Sequence, residues 1–403
     1  MKYELSAATF YLSLLIPFLF YFLLSKTKVA KKDLGATEKY KYLDGLRGLA
    51  ATAVFIHHSR MIYNYHFNGS FSPNGLFEYG HSVASKLYVH AGQSSVLFFF
   101  MITGFLFYGK LVDSKGIINS ISFYTGRLRR IVPGYITCVV LAFIIGIASG
   151  TNDGWGIKNI AAFLTSSISF GYFGFYSVGV IPGWVIVSGV LWTLTLEWFF
   201  YFLVPFMGVF STSRRKSFVF IVCLISWLFL ANKFGYITVK TLAISLSFAL
   251  GFIIAELVRS ESKIITSFLK NPFVGIIPLV LFGVYICDYA TSYELVPVLL
   301  ISLVLLFICS NNSIYSFLSL RLFRLGGKVS YSVYILHGVA LNLVGLMFSS
   351  APSYPLYFVI SSLLMVMLSF CNYFLVEKTF IKKPVQINSD ETSKEILLTA
   401  NLK

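Results

Sequence analysis

Leu43-Asp44-Gly45-Leu46-Arg47-Gly48-Leu49 opens a segment that runs to His57-His58 with Thr52 as its only other polar side chain. An acid, a base and two imidazoles therefore share what otherwise reads as one membrane span. Charged groups are costly in hydrocarbon, so an intramembrane ionisable cluster is a functional-site hypothesis by default. On a helix, the eleven steps from Arg47 to His58, at about 100° each, return to one face, roughly 20° off. The two residues then stand about 16 Å apart along the axis, at about 1.5 Å per residue. His57 points about 100° away, so the face argument selects His58 over His57.

The rest of the chain agrees with a membrane setting. Of 403 residues, 57% are hydrophobic and 12% charged, and mean hydropathy is +0.78. A soluble domain carries about 25% charged residues. The fold class is all-α, a polytopic membrane protein of about eleven spans. The net charge of +16 reads as a loop bias of the positive-inside kind and not as a nucleic-acid footprint. Cys138, Cys223, Cys287, Cys309 and Cys371 all fall in apolar segments without paired spacing. They predict no metal site and no disulfide framework, only small core hydrophobes.

Apolar segments occupy 7–24, 43–62, 92–108, 131–148, 185–210, 217–231, 237–257, 274–287, 295–309, 329–348 and 356–376. The first has no small-residue cleavage site after it and reads as an uncleaved span. A twelfth candidate, 157–176, is rich in Ser, Gly and Phe. If it does not span, most of the 32 Lys and Arg fall on one side. If it does, the bias largely cancels. It is therefore expected to be re-entrant or interfacial, with the N-terminus outside and the C-terminus cytoplasmic. The expected division is an extra helix and basic loop at 1–39, a membrane domain at 40–383, and a short cytoplasmic tail at 384–403.

Further chemistry-bearing residues sit in four places. Arg127 and Arg130 share a helix face at a basic helix start, where they serve either as plain positive-inside anchors or as forks for phosphate oxygens. Glu197 is a carboxylate near the centre of a span that holds no base, with Thr193 one turn before it on the same face. It is either a structural ion-pair partner or a catalytic or relay group. Tyr331, Tyr334 and His337 recur every three residues and form a polar stripe, open to a packing or a substrate role. Asp44 reads as a helix-start cap. His66, His81 and His90 read as surface histidines of the outer loop, Glu256 as interfacial, and the 98–106 stretch as a packed helix with a glycine contact.

These stretches together resemble a known family. LDGLRGLAA at 43–51 with His58 beyond it, FFFMITGFL at 98–106, FYTGRLRRIVP at 123–133, WTLTLEWFFYFLVP at 192–205, SYSVYILH at 330–337 and YFLVEKTFIK at 373–382 are similar to motifs of the acyltransferase-3 family. They stand in that family's order over about 40–383. Its members are bacterial integral-membrane enzymes that O-acylate cell-surface sugars. The helix before residue 40 lies outside the resemblance.

The resemblance implies an acyl-coenzyme A donor, usually acetyl-CoA, bound from the cytoplasm. It implies an acceptor hydroxyl on a lipid-linked or surface polysaccharide, lipopolysaccharide O-antigen among them, in the bacterial inner membrane. It carries Arg47 and His58 over as an intramembrane pair needed for activity, Arg127 and Arg130 as donor-phosphate ligands, and Glu197 as the span carboxylate. Asp44, Tyr331 and His337 are further candidates for substrate contacts. An imidazole at His58 can act as general base toward the acceptor hydroxyl. Arg47, about 16 Å away by helix rise, suits donor binding or a structural role, and Glu197 would orient His58 or Arg47. A proton-coupled transporter or flippase uses the same residue types, but such folds are built from repeated halves, and no internal repeat is evident.

Overall fold

The computed structural model describes residues 7–35, 40–71, 83–150 and 156–381. It is 82% helical, with no strand among the described residues. The expected tail at 384–403 and His81 lie outside them.

The helices in order are α1 (Ala7–Ser25), α2 (Lys28–Leu34), α3 (Lys41–Asn68), α4 (Val83–Asp113), α5 (Ser120–Ala148), α6 (Ile157–Ile168), α7 (Gly183–Ile186), α8 (Leu191–Met207), α9 (Arg214–Lys233), α10 (Val239–Val258), α11 (Lys263–Lys270), α12 (Pro272–Asp288), α13 (Leu295–Cys309), α14 (Arg321–Lys328), α15 (Ser330–Met347), α16 (Tyr354–Cys371) and α17 (Lys378–Ile381). Among the described residues, seven helices are long and apolar enough to cross a membrane, or up to ten if each of three sharply bent pairs is one span. α3 is not among them, because its ionisable and other polar side chains lower its hydropathy. The expected 43–62 segment lies within α3.

α3 is the central post. Val54, Phe55 and Ile56 are wholly buried, and it packs on α4, α14 and α15. Small residues permit this. A Cβ on Gly45 would strike the Leu318 carbonyl, one on Gly48 the Phe323 carbonyl, and one on Gly327 the Asp44 backbone. α3 and α14 thus meet backbone to backbone, as small-residue interfaces do in membranes. α4 and α10 cross the same way at Gly104 and Gly251, which gives the glycine of the 98–106 stretch its contact. The helix ends at Gly69, which takes a left-handed φ of 67° while its amide bonds to the Asn64 carbonyl.

Three expectations need correction. The 185–210 segment is not one helix. Ser188 and Gly189 adopt positive φ and break it into α7 and α8. Only Cys138 and Cys309 are buried, while Cys223, Cys287 and Cys371 lie on the outer surface of the bundle. Being in an apolar segment does not place a residue in the core when the solvent is lipid. His90 is no surface histidine. α4 begins at Val83, so His90 sits two turns inside it, 1% exposed, with Nδ1 2.7 Å from the Ser292 hydroxyl and Nε2 2.9 Å from the Tyr289 carbonyl. His66 likewise meets the Asn342 amide oxygen at 2.9 Å.

The 157–176 segment forms the 12-residue α6, followed by turns, where a span takes about 20 residues. α2 is joined to the bundle by polar bonds. The Lys378 ammonium stands 2.6 Å from Asp33, the Tyr373 hydroxyl donates to Asp33 at 3.0 Å, and Arg324 donates to the Leu34 carbonyl at 2.9 Å.

Candidate active site

A cavity of about 490 Å³ opens between α3, α4, α5, α8 and α15 at the end of the bundle where α3 begins. Four cations line it: Arg47, Lys110, Arg127 and Arg130, against the one lining carboxylate of Glu197. Its walls are apolar, with Val96, Phe99, Phe100 and Leu194 among them.

Three helices place the four cations: α3 carries Arg47, α4 Lys110, and α5 both Arg127 and Arg130. Arg47 lies two turns into α3, and its charge is felt by Asp44 and Glu197. Asp44 does not cap α3. Tyr40 holds the cap position, without a side-chain capping bond. Asp44 instead lies in the first turn, where a carboxylate complements the helix dipole, and it does not line the cavity. The Arg127 guanidinium carbon sits over Phe107, 4.8 Å from the ring centre, and 5.9 Å from that of Tyr201. The Nε atoms of Arg47 and Arg127 are buried and have no hydrogen-bond partner among the described residues. Burying an N–H donor without an acceptor is unfavourable, which leaves each Nε–H able to take an acceptor from outside the chain.

Arg130 is held differently. Its Nη1 lies 3.5 Å from the Glu377 carboxylate, which is fully buried. Glu377 also accepts hydrogen bonds from the Ser332 hydroxyl and from Asn372 at 3.1 Å. It ends a π-helical stretch, Asn372–Glu377, a local widening frequent at functional sites. Sequence reasoning missed Glu377 and Lys110. Glu377 stood within a quoted motif without being singled out, and Lys110 counted only toward the loop charge.

Glu197 accepts a hydrogen bond from Tyr201 at 3.0 Å, one turn along the same helix, and faces Arg47 and Arg127. It does not orient His58. α8 starts only at Leu191, and its Thr193 hydroxyl meets the Tyr334 hydroxyl at 2.8 Å. α8 and α15 run antiparallel there, so the next turn of α8 carries Glu197 toward Tyr331 and away from His337.

The expected stripe on α15 exists, and its members reach three different helices. Tyr331 donates to the Ile131 carbonyl of α5 at 2.7 Å. Tyr334 meets Thr193 of α8. His337, fully buried, has Nε2 3.2 Å from His58 Nδ1 of α3, with the rings stacked 5.1 Å apart. Tyr331 and Tyr334 line the cavity, whereas His57, His58 and His337 do not. His57 turns aside to the Tyr88 carbonyl at 2.9 Å. The site thus has two compartments: a cationic cavity, and beyond the Tyr334–Thr193 contact a pair of imidazoles. One compartment can hold a polyanion, and the other can accept a proton.

Residues 40–373 match the family model described as an acyltransferase domain. No curated protein and no solved structure matches the chain.

Proposed function

Because the chain belongs to the acyltransferase-3 family, we propose that this membrane acyltransferase moves an acetyl group from acetyl-CoA to a hydroxyl of a cell-surface or lipid-linked glycan. The observation that carries the reading is the cavity with Arg47, Lys110, Arg127 and Arg130 converging on one apolar-walled space. Planar guanidinium groups fit phosphate oxygens in pairs, and coenzyme A presents phosphates on a long, thin pantetheine arm.

In this reading Arg127 and Arg130 hold the donor's phosphates, with Arg47 and Lys110 adding positive potential. The arm runs along the apolar walls toward Thr193 and Tyr334. Neither His58 nor His337 lines the cavity, so the thioester meets His58 when the Tyr334–Thr193 contact parts. The acceptor hydroxyl gives its proton to His58 as its oxygen attacks the thioester carbon. The carbon–sulfur bond then breaks, and the leaving thiolate takes the proton back from the imidazolium. Ester and free coenzyme A thiol result. The donor end is cytoplasmic in the bacterial inner membrane, in keeping with the loop charges.

The test is direct. Membranes holding the chain, labelled acetyl-CoA and cell-envelope glycan should yield alkali-labile label on the glycan. No label with wild type, or equal label with His58→Ala, would sink the proposal.

A further inference from the structure

The hydrogen bonds around His58 and His337 admit only one pair of tautomers. Backbone carbonyls accept and never donate. Nδ1 of His337 lies 2.8 Å from the Tyr334 carbonyl and 3.2 Å from that of Val333, so Nδ1 carries the hydrogen and Nε2 is left with a lone pair. That lone pair faces His58 Nδ1 at 3.2 Å. His58 Nδ1 also faces the Val54 carbonyl at 3.1 Å, and both neighbours are acceptors, so His58 too carries its hydrogen on Nδ1. The opposite pair would keep an N–H···N bond between the rings but set a ring lone pair against the carbonyls of Val54, Val333 and Tyr334. The basic nitrogen of His58 is then Nε2, which has no hydrogen-bond partner among the described residues and belongs to a half-buried side chain.

We infer that His337 is a positioning residue for His58: anchored by the carbonyls of its own helix, it fixes the His58 tautomer and aims Nε2 at the acceptor hydroxyl. This is the part a carboxylate takes in a triad, played by a neutral imidazole, and it rests on the reading of His58 as the base. When His58 Nε2 takes the proton, its Nδ1–H still points at His337 Nε2, which supports the imidazolium without carrying charge. Three features serve the arrangement. Gly338 leaves room for the α7–α8 break against α15, since a Cβ there would meet the Ile186 carbonyl and the Ser188 hydroxyl oxygen. The stacked rings, inclined by 29°, keep the nitrogen–nitrogen line short. His57, edge-on to His58 at 4.8 Å, is held by the Tyr88 carbonyl and cannot replace His337. Apart from His57 and His337, no titratable side chain hydrogen-bonds or stacks with His58 among the described residues.

Two measurements on the full chain in lipid nanodiscs test this. Nitrogen-15 NMR of histidine-labelled protein, assigned by His58→Gln and His337→Gln difference spectra, should show both rings as Nδ1–H tautomers, with scalar coupling between His58 Nδ1 and His337 Nε2. A His58 protonated at Nε2 overturns the inference whatever the protein's activity. In acetyl transfer, His337→Leu should lower kcat by about 100-fold or more at an unchanged KM for acetyl-CoA. His337→Gln, which offers an acceptor to His58 and a donor to the Tyr334 carbonyl, should recover most of that loss. A folded His337→Leu protein with kcat near wild type, or a Gln variant no better than Leu, would refute the role. If wild type transfers nothing, the acyl-transfer reading fails, while the NMR result still decides the tautomers.

Discussion

Nη1 of Arg130 lies 3.5 Å from Oε2 of Glu377, a carboxylate with no solvent exposure. One residue lies within the N-terminal half of α5 and the other closes the π-helical stretch after α16, so the pair ties together two segments far apart in sequence. It also sets where a cavity-lining guanidinium points. Glu377→Gln keeps an oxygen for Ser332 and Asn372 and should fold. It loses the charge that holds Arg130, so KM for acetyl-CoA should rise roughly tenfold, or about 1.4 kcal/mol. Initial rates against donor concentration check this, and an unchanged KM would show that Arg130 needs no anchor.

Arg127 and Arg130 stand on one face of α5 and both line the cavity. Replacing both by Ala should weaken coenzyme A binding by about 100-fold or more, taking about 1.5–3 kcal/mol for each hydrogen bond to a charged group. The KM for the glycan acceptor should hardly move. Isothermal titration with coenzyme A reads the first effect and steady-state kinetics the second. Equal losses for donor and acceptor would argue against a phosphate clamp.

Asp33 takes the Lys378 ammonium at 2.6 Å and the Tyr373 hydroxyl at 3.0 Å. Asp33→Ala should loosen the N-terminal helix pair from the bundle, at a cost of about 1–2 kcal/mol. The thermal midpoint in detergent should fall by a few degrees, and proteolysis near residue 35 should speed up. A midpoint equal to wild type would mean that the apolar contacts of α1 alone secure the N-terminal pair.

Gly48 has no room for a side chain, because a Cβ would press on the Phe323 carbonyl and the Gly327 amide. Gly48→Val should force α3 and α14 apart, at roughly 1–3 kcal/mol or more, and shift Arg47 with them. Size-exclusion profiles and thermal midpoints should worsen more for Gly48→Val than for Gly126→Val, where nothing lies within 4 Å. Equal behaviour would refute close backbone packing as the reason for glycine here.

Much of the fold was legible without coordinates. Long apolar runs in a chain with few charges leave a helical bundle as the economical way to satisfy backbone hydrogen bonds in lipid. The spacing on α3 picked His58 over His57, and the spacing on α15 picked its polar stripe. Both follow from the helical repeat, which acts within one element.

What the sequence left open lies between elements. It offered Glu197 as the partner of His58 or Arg47 and could not choose between them; the break at Ser188 and Gly189 sets α8 so that Glu197 shares the cavity with Arg47 and the other arginines. It treated His90 as surface, yet Ser292 and Tyr289 close around it. It passed over Glu377 and Lys110, whose roles depend on which helices stand opposite. Periodicity fixes a side chain's direction around its own axis, and only the packing of one helix against another decides what it meets. For this chain the sequence alone determined a polytopic helical bundle with Arg47 and His58 on one face. The tertiary structure decided that Arg47 joins a cationic cavity and that His58 turns to His337.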